Sequence, residues 1–235
     1  MTDDDSILPS RTSGGKVTKR SVDAFLAEVD RHPPARGRLL FGLDATASRQ
    51  ATWDQAAHLT ARMFEAADEA GGLALRLCFF RGFREFRAGP WHREAAPLQR
   101  AMATVRCAAG HTQIERLLRF ALEETRAERI SGLVLVGDAC EESLDRLVGV
   151  AGELGLMGTP VFAFQEGRDR AASEAFAGIA RASRGAHARF DGAAAARLAD
   201  LLRAVALYAA GGREALERLG RTDGAARALL EDLSR

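Results

Sequence analysis

The sequence predicts an α/β fold: an open, mostly parallel six-stranded sheet flanked by helices on both faces. Two observations carry this. Short apolar runs alternate with longer amphipathic stretches almost throughout the chain. Two of the runs, LLFGL and LVLVG, are apolar without interruption, as expected of strands covered on both sides. At 235 residues and 47% hydrophobic, the chain has material for one large domain with appendages and a substantial core.

The elements follow in order. Residues 1–20 are polar, with Ser, Thr and Gly, and read as a disordered N-terminal segment. Residues 21–36 read as a short helix and linker, with Ser21 as cap, Val22, Phe25, Leu26 and Val29 on one face, and Pro33–Pro34 as the stop. Arg38–Leu43 is the first strand. A helix is expected over Arg49–Ala70, with Trp53 and Phe64 on its core side and Gly71–Gly72 at its end. Residues 73–80 form the second strand. A short third strand is expected over Phe83–Arg87 after a turn at Gly82, with Gly89 and Pro90 in a loop and a weak helix over 93–104. Ile114, Leu117, Leu118, Ala121, Leu122 and Thr125 make a helical stripe. Then come a strand over Ser131–Gly137, a helix through Leu144–Leu154, a strand at 159–164, a helix at 170–183, a weak last strand at 186–190 and an amphipathic helix at 193–209. Residues 210–235 read as a helical appendix broken at Gly220 and Gly224, whose Leu216, Leu219, Leu229 and Leu230 are expected to pack on the main domain.

Composition narrows the function classes. Lys+Arg (33) and Asp+Glu (32) nearly balance, so nothing drives the chain toward nucleic acid or an anionic membrane. Cys78, Cys107 and Cys140 form no CxxC pair and are odd in number, which fits a reducing compartment. The acidic start MTDDDSILPS has no basic or apolar signal region, and no apolar run approaches ~18 residues. A cytoplasmic protein without a membrane span is expected.

The chemistry-bearing residues stand where strands end. In open α/β sheets, ligands bind at the carboxyl ends of the strands. Asp44 follows LLFGL, with Thr46 and Ser48 close behind; Asp138 follows LVLVG; Thr112 precedes the stripe that begins at Ile114. Each has an ordinary reading. Asp44 serves as a loop or cap residue, Thr112 as a helix cap with Glu115 as its capping-box partner, and Asp138 as a cap for the helix near Glu141. Together, two carboxylates and three hydroxyls form a set of hard oxygen donors suited to Mg²⁺, with no Cys/His spacing of the zinc type.

In this combination the residues resemble the metal-ion-dependent adhesion site of the von Willebrand factor type A (VWA) family. That family carries an Asp-x-Ser-x-Ser stretch after the first strand, a Thr from a later loop and a second Asp after the fourth strand. The counterparts are Asp44-Ala45-Thr46-Ala47-Ser48, Thr112 and Asp138. The chain departs from the pattern in having Thr46 for the first Ser and His111 where Gly is common. The resemblance spans residues 37–209 and implies a Rossmann-like VWA domain. It further implies Mg²⁺, with Mn²⁺ or Ca²⁺ as substitutes, bound by Asp44, Thr46, Ser48, Thr112 and Asp138. An open metal position would then take an exposed Asp or Glu of a partner protein, and AAA+ ATPase systems are among the partners the family suggests. Arg49, His111 and Glu141 are candidate partner contacts; Arg49 reads equally as solvated surface, and His111 as an ordinary exposed loop residue.

Two rivals belong to other classes. A Mg²⁺-dependent phosphohydrolase of the haloacid-dehalogenase-like type needs an acid/base Asp two residues after the nucleophile, where this chain has Thr46. It also needs a lysine, and Lys16 and Lys19 both lie in the N-terminal segment. A metal-free scaffold is the other. No GxGxxG follows the first strand, and Cys140 has no paired base evident from spacing. The expectation is a binding module or adaptor, not an enzyme.

Overall fold

Strand β1 (Arg38–Asp44) alternates its side chains between two faces, both buried from Leu39 onward. In the computed structural model, which describes residues 37–51, 53, 73–190 and 195–233, it is central in a six-stranded sheet. The expected segments 1–20 and 21–36, and most of the helix expected over 49–70, lie outside the described residues. The chain divides into units Met1–Ala35 and Arg36–Arg235, and the second holds everything described below.

The other strands are β2 (Ala74–Arg81), β3 (Glu85–His92), β4 (Gly132–Gly137), β5 (Val161–Glu166) and β6 (Ala186–Phe190). Their order is β3-β2-β1-β4-β5-β6, parallel except for the edge strand β3. The described helices are α1 (Ala95–Thr104), α2 (Ile114–Ala127), α3 (Leu144–Leu156), α4 (Arg170–Ala182), α5 (Ala195–Gly220) and α6 (Gly224–Asp232). The predicted α/β class with a mostly parallel sheet is the observed one.

The period of two along the strands sorts the core into two layers. Leu39, Phe41 and Leu43 join Leu75, Val134 and Phe162 on the face covered by α1, α5 and α6. Leu40, Cys78, Phe80, Leu133 and Ala163 join α2, α3 and α4 on the other. Gly42 belongs to this second face, where Leu117 of α2 takes the space: a Cβ on Gly42 would lie 2.3 Å from Leu117 Cδ2. The leucines of the C-terminal segment pack at home, as expected. Leu216 and Leu229 are buried in the first layer, and Leu219 and Leu230 lie against it. Helix α5 is interrupted at Gly212 (φ 66°), and Asp223 caps α6 through the backbone N–H groups of Ala225 and Ala226.

Among the strands, the third and the fifth depart most from the sequence reading. The third strand continues to His92 instead of stopping at Arg87, and Gly89 and Pro90 lie inside it. Arg76 pairs with Trp91 and Cys78 with Ala88, so Gly89 and Pro90 together oppose Leu77 as a bulge. An edge strand tolerates a proline because one side of it has no neighbour to receive the missing N–H. The fifth strand begins at Val161, not 159, after Pro160.

Candidate metal centre at the carboxyl edge of the sheet

Asp44 closes β1, and the β1–β4 register aligns Leu43 with Val136, which brings Asp44 beside Gly137. The approach is close: a Cβ on Gly137 would lie 3.2 Å from Asp44 Cβ and 3.5 Å from its Oδ2. A side chain there would crowd the carboxylate, and Asp138 follows at once.

Beyond Asp44 the chain turns sharply. Its Oδ1 accepts the Thr46 N–H at 2.8 Å, and a 3-10 turn covers Ala47–Arg49. This places Thr46 Oγ1 and Ser48 Oγ 3.1 Å apart, Thr46 buried and Ser48 exposed. The segment leading to Thr112 is laid against this turn by a parallel bridge between Thr46 and Ala108 and by the Ala108 N–H donating to Ala45 O (3.0 Å). Thr112, itself buried, donates its N–H and hydroxyl to Glu141 Oε2 (3.0 and 2.8 Å), and its oxygen accepts from the Glu141 N–H (3.3 Å). Three segments far apart in sequence are thereby joined at one edge.

Burial pushes the Asp44 carboxyl up to about 6; the Thr46 hydrogen bonds work against this, the Asp138 charge adds to it, and Arg49 opposes it. Two carboxylate oxygens, Asp44 Oδ2 and Asp138 Oδ1, are buried without a hydrogen-bond partner. Such orphans are costly, and a cation is the natural complement. The donor set suits a hard ion. The Thr112 hydroxyl gives its proton to Glu141 and accepts one bond from the Glu141 N–H, which leaves one lone pair for a ligand. Among the described residues, no three His, Cys, Asp or Glu gather as a metal cluster, so a cation here depends on the hydroxyls as much as on the two carboxylates.

Several sequence readings change. Arg49 is fully buried, so it is neither solvated nor a surface contact. Its Nη1 donates to Asp44 O (2.9 Å), and its Nε and Nη2 each lie 3.1 Å from Glu166 Oε2 on β5. It holds the backbone at the end of β1. Thr112 does not cap α2. Glu142 does, accepting from the N–H groups of Ile114 and of Glu115 (2.9 Å). The Ile114 and Glu115 N–H groups at this helix start are therefore already engaged. Asp138 does not cap α3, which begins at Leu144 after Ser143. His111 is exposed and meets the Phe83 ring edge-on, centroids 6.0 Å apart. Glu141 is exposed, but its carboxylate is engaged by Thr112. Burial pushes the Cys78 thiol up to about 12 and raises Cys107 and Cys140, so none is poised as a thiolate. Sequence reasoning missed Glu142, Glu166 and Gly137; the glycine directly before Asp138 was the one local signal.

No protein-family model matches the chain, and no curated protein matches it by sequence. Solved structures do match in fold. The von Willebrand factor type A protein from Catenulispora acidiphila aligns with a TM-score of 0.60 at 17% identity, covering 75% of this chain and 43% of that one. The SpRpn10 VWA domain aligns at 0.58 and 10% identity, covering 71% and 95%. The pilus adhesin SpaC from Lactobacillus rhamnosus GG aligns at 0.61 and 12%, covering 74% and 30%. This chain thus spans less than half of the first and third proteins and nearly all of the second. The architecture is a VWA-like fold. The same comparison overturns the cytoplasmic expectation: structures sharing the fold include this pilus adhesin and a thread matrix protein of the mussel byssus, so the fold does not tie the chain to the cytoplasm. No helix among the described residues is long and apolar enough to cross a membrane.

Proposed function

We propose that the protein is a non-enzymatic binding module, an adaptor that captures an exposed Asp or Glu of a partner protein through a divalent cation. Asp44, Thr46, Ser48, Thr112 and Asp138 hold the cation, which is Mg²⁺, with Mn²⁺ or Ca²⁺ as substitutes. The observation that carries this reading is that Asp44 Oδ2 and Asp138 Oδ1 are both buried and partnerless, their carboxylates close enough to repel, with the paired hydroxyls of Thr46 and Ser48 following Asp44 in the chain.

When bound, the cation supplies a coordination position that an incoming carboxylate fills. The chain's residues do the rest. Asp44 and Asp138 offset the ionic charge, Glu141 orients the Thr112 hydroxyl, and Arg49 fixes the Asp44 backbone. An AAA+ ATPase as partner belongs to this proposal through the family resemblance alone.

The test is a thermal melt of metal-free protein with and without MgCl₂, paired with partner capture with and without EDTA. Binding to the native state alone at about a hundredfold over Kd adds roughly 2.7 kcal/mol. Asp44→Ala removes the shift and the EDTA-sensitive capture. A wild-type protein whose melting ignores Mg²⁺, Mn²⁺ and Ca²⁺ sinks the reading.

A further inference from the structure

We propose that the β2–β3 turn, residues 82–84, is a second contact on the same recognition surface, where Phe83 and His111 receive an apolar or aromatic side chain of an acidic partner segment. This rests on the reading above for the first contact, the partner's carboxylate.

Phe83 is 76% exposed and is the aromatic residue among the large exposed hydrophobics described. A single exposed apolar residue is ordinary on a protein surface. This one stands on a braced turn. Gly82 and Arg84 take positive φ (59° and 140°), the latter a strained conformation for an arginine. Gln113 Nε2 donates to the carbonyls of Arg81 and Glu85 (both 3.3 Å), and Arg116 Nη1 to that of Arg84 (2.8 Å). Gly110 presses so closely on Gly82 that a Cβ there would lie 2.0 Å from the Gly82 oxygen. An aromatic ring held out on such a support loses little freedom on binding.

Position and charge select the partner. The ring meets His111, the residue before Thr112, so the turn borders the candidate metal centre. Arg84, Arg106 and Arg116 are exposed around it. The carboxylate next to the turn, Glu85, is engaged by Arg81 (2.8 Å) and Arg87 (3.4 Å). The turn is thus cationic with an apolar projection, which complements a segment bearing acidic residues and one apolar side chain.

The experiment uses short Gly/Ser peptides carrying one Asp, with or without one Trp or Leu at varied spacing, binding the full chain in MgCl₂ and in EDTA. Peptides with the apolar residue are expected to bind about tenfold tighter than Asp-only peptides. Phe83→Ser is expected to bring them to the Asp-only level while leaving the Mg²⁺ thermal shift intact. Equal binding of the two sets, a preference that survives Phe83→Ser, or no binding by any peptide overturns the proposal. So does a dimer in sedimentation that Phe83→Ser dissolves, which would assign the patch to a second copy. An apolar preference that depends on Phe83 but persists in EDTA, with no Mg²⁺ thermal shift, supports the turn as a contact and removes the metal reading alone.

Discussion

Arg49 and Glu166 form a buried ion pair, with Nη2 3.1 Å from Oε2 and side chains 0% and 12% exposed. The same guanidinium donates to the Asp44 carbonyl, so the pair links the end of β1 to the end of β5. Removing one partner of such a pair leaves a charge and a carbonyl without their complement. Arg49→Ala is expected to cost about 3 kcal/mol in urea unfolding and to weaken the Mg²⁺ response; a loss under about 1 kcal/mol would contradict this role.

Stability of the metal-free protein should fall as pH rises through the window set by Asp44. The ordinary carboxyl value is 3.8, and burial in the folded protein pushes Asp44 up to about 6. Between these values the folded state keeps a proton that the unfolded state has released, so stability declines with rising pH and levels off above about 6. The difference corresponds to roughly 3 kcal/mol. Asp44→Asn keeps an oxygen acceptor for the Thr46 N–H but carries no charge. It should remove the decline and, in metal-free buffer at neutral pH, exceed the wild type by roughly 2 kcal/mol. Urea titrations across the pH range check both; parallel profiles for the two proteins refute the assignment.

The Mg²⁺ stabilisation should run the other way with pH. Proton and cation compete for Asp44, so the thermal shift grows as pH rises through about 6 and fades below it. A shift of constant size from acidic to neutral pH would mean that the cation binds elsewhere.

Glu142 caps α2 across two loops, and its loss exposes the first N–H groups of that helix. Glu142→Ala is expected to cost about 1 kcal/mol and to raise hydrogen exchange at Ile114 and Glu115. Unchanged exchange there would show that the cap is dispensable.

Gly137→Ala tests the close approach to Asp44. The new methyl would lie 3.2 Å from both Asp44 Cβ and Phe176 Cζ, so one of them must yield. A cost of about 1 kcal/mol is expected, with a larger relative loss of Mg²⁺ affinity. Unaltered Mg²⁺ binding would place the cation away from Asp44 Oδ2.

Local patterns in the chain were enough for the α/β class, for the described strands to within two residues save the far end of β3, and for which oxygen-bearing residues stand at strand ends. These depend on periodicity within about ten residues, on glycine and proline punctuation, and on strand ends marked by the first polar residue. What those residues touch became visible in the folded chain. Glu166 takes Arg49 inward from 117 positions away, and Glu141 engages Thr112 from 29. β3 runs on through Gly89 and Pro90 because a bulge and an edge position absorb them. Burial and ion pairing are set by whichever distant segment the sheet order brings alongside, and no local pattern around Arg49 or Thr112 encodes that neighbour.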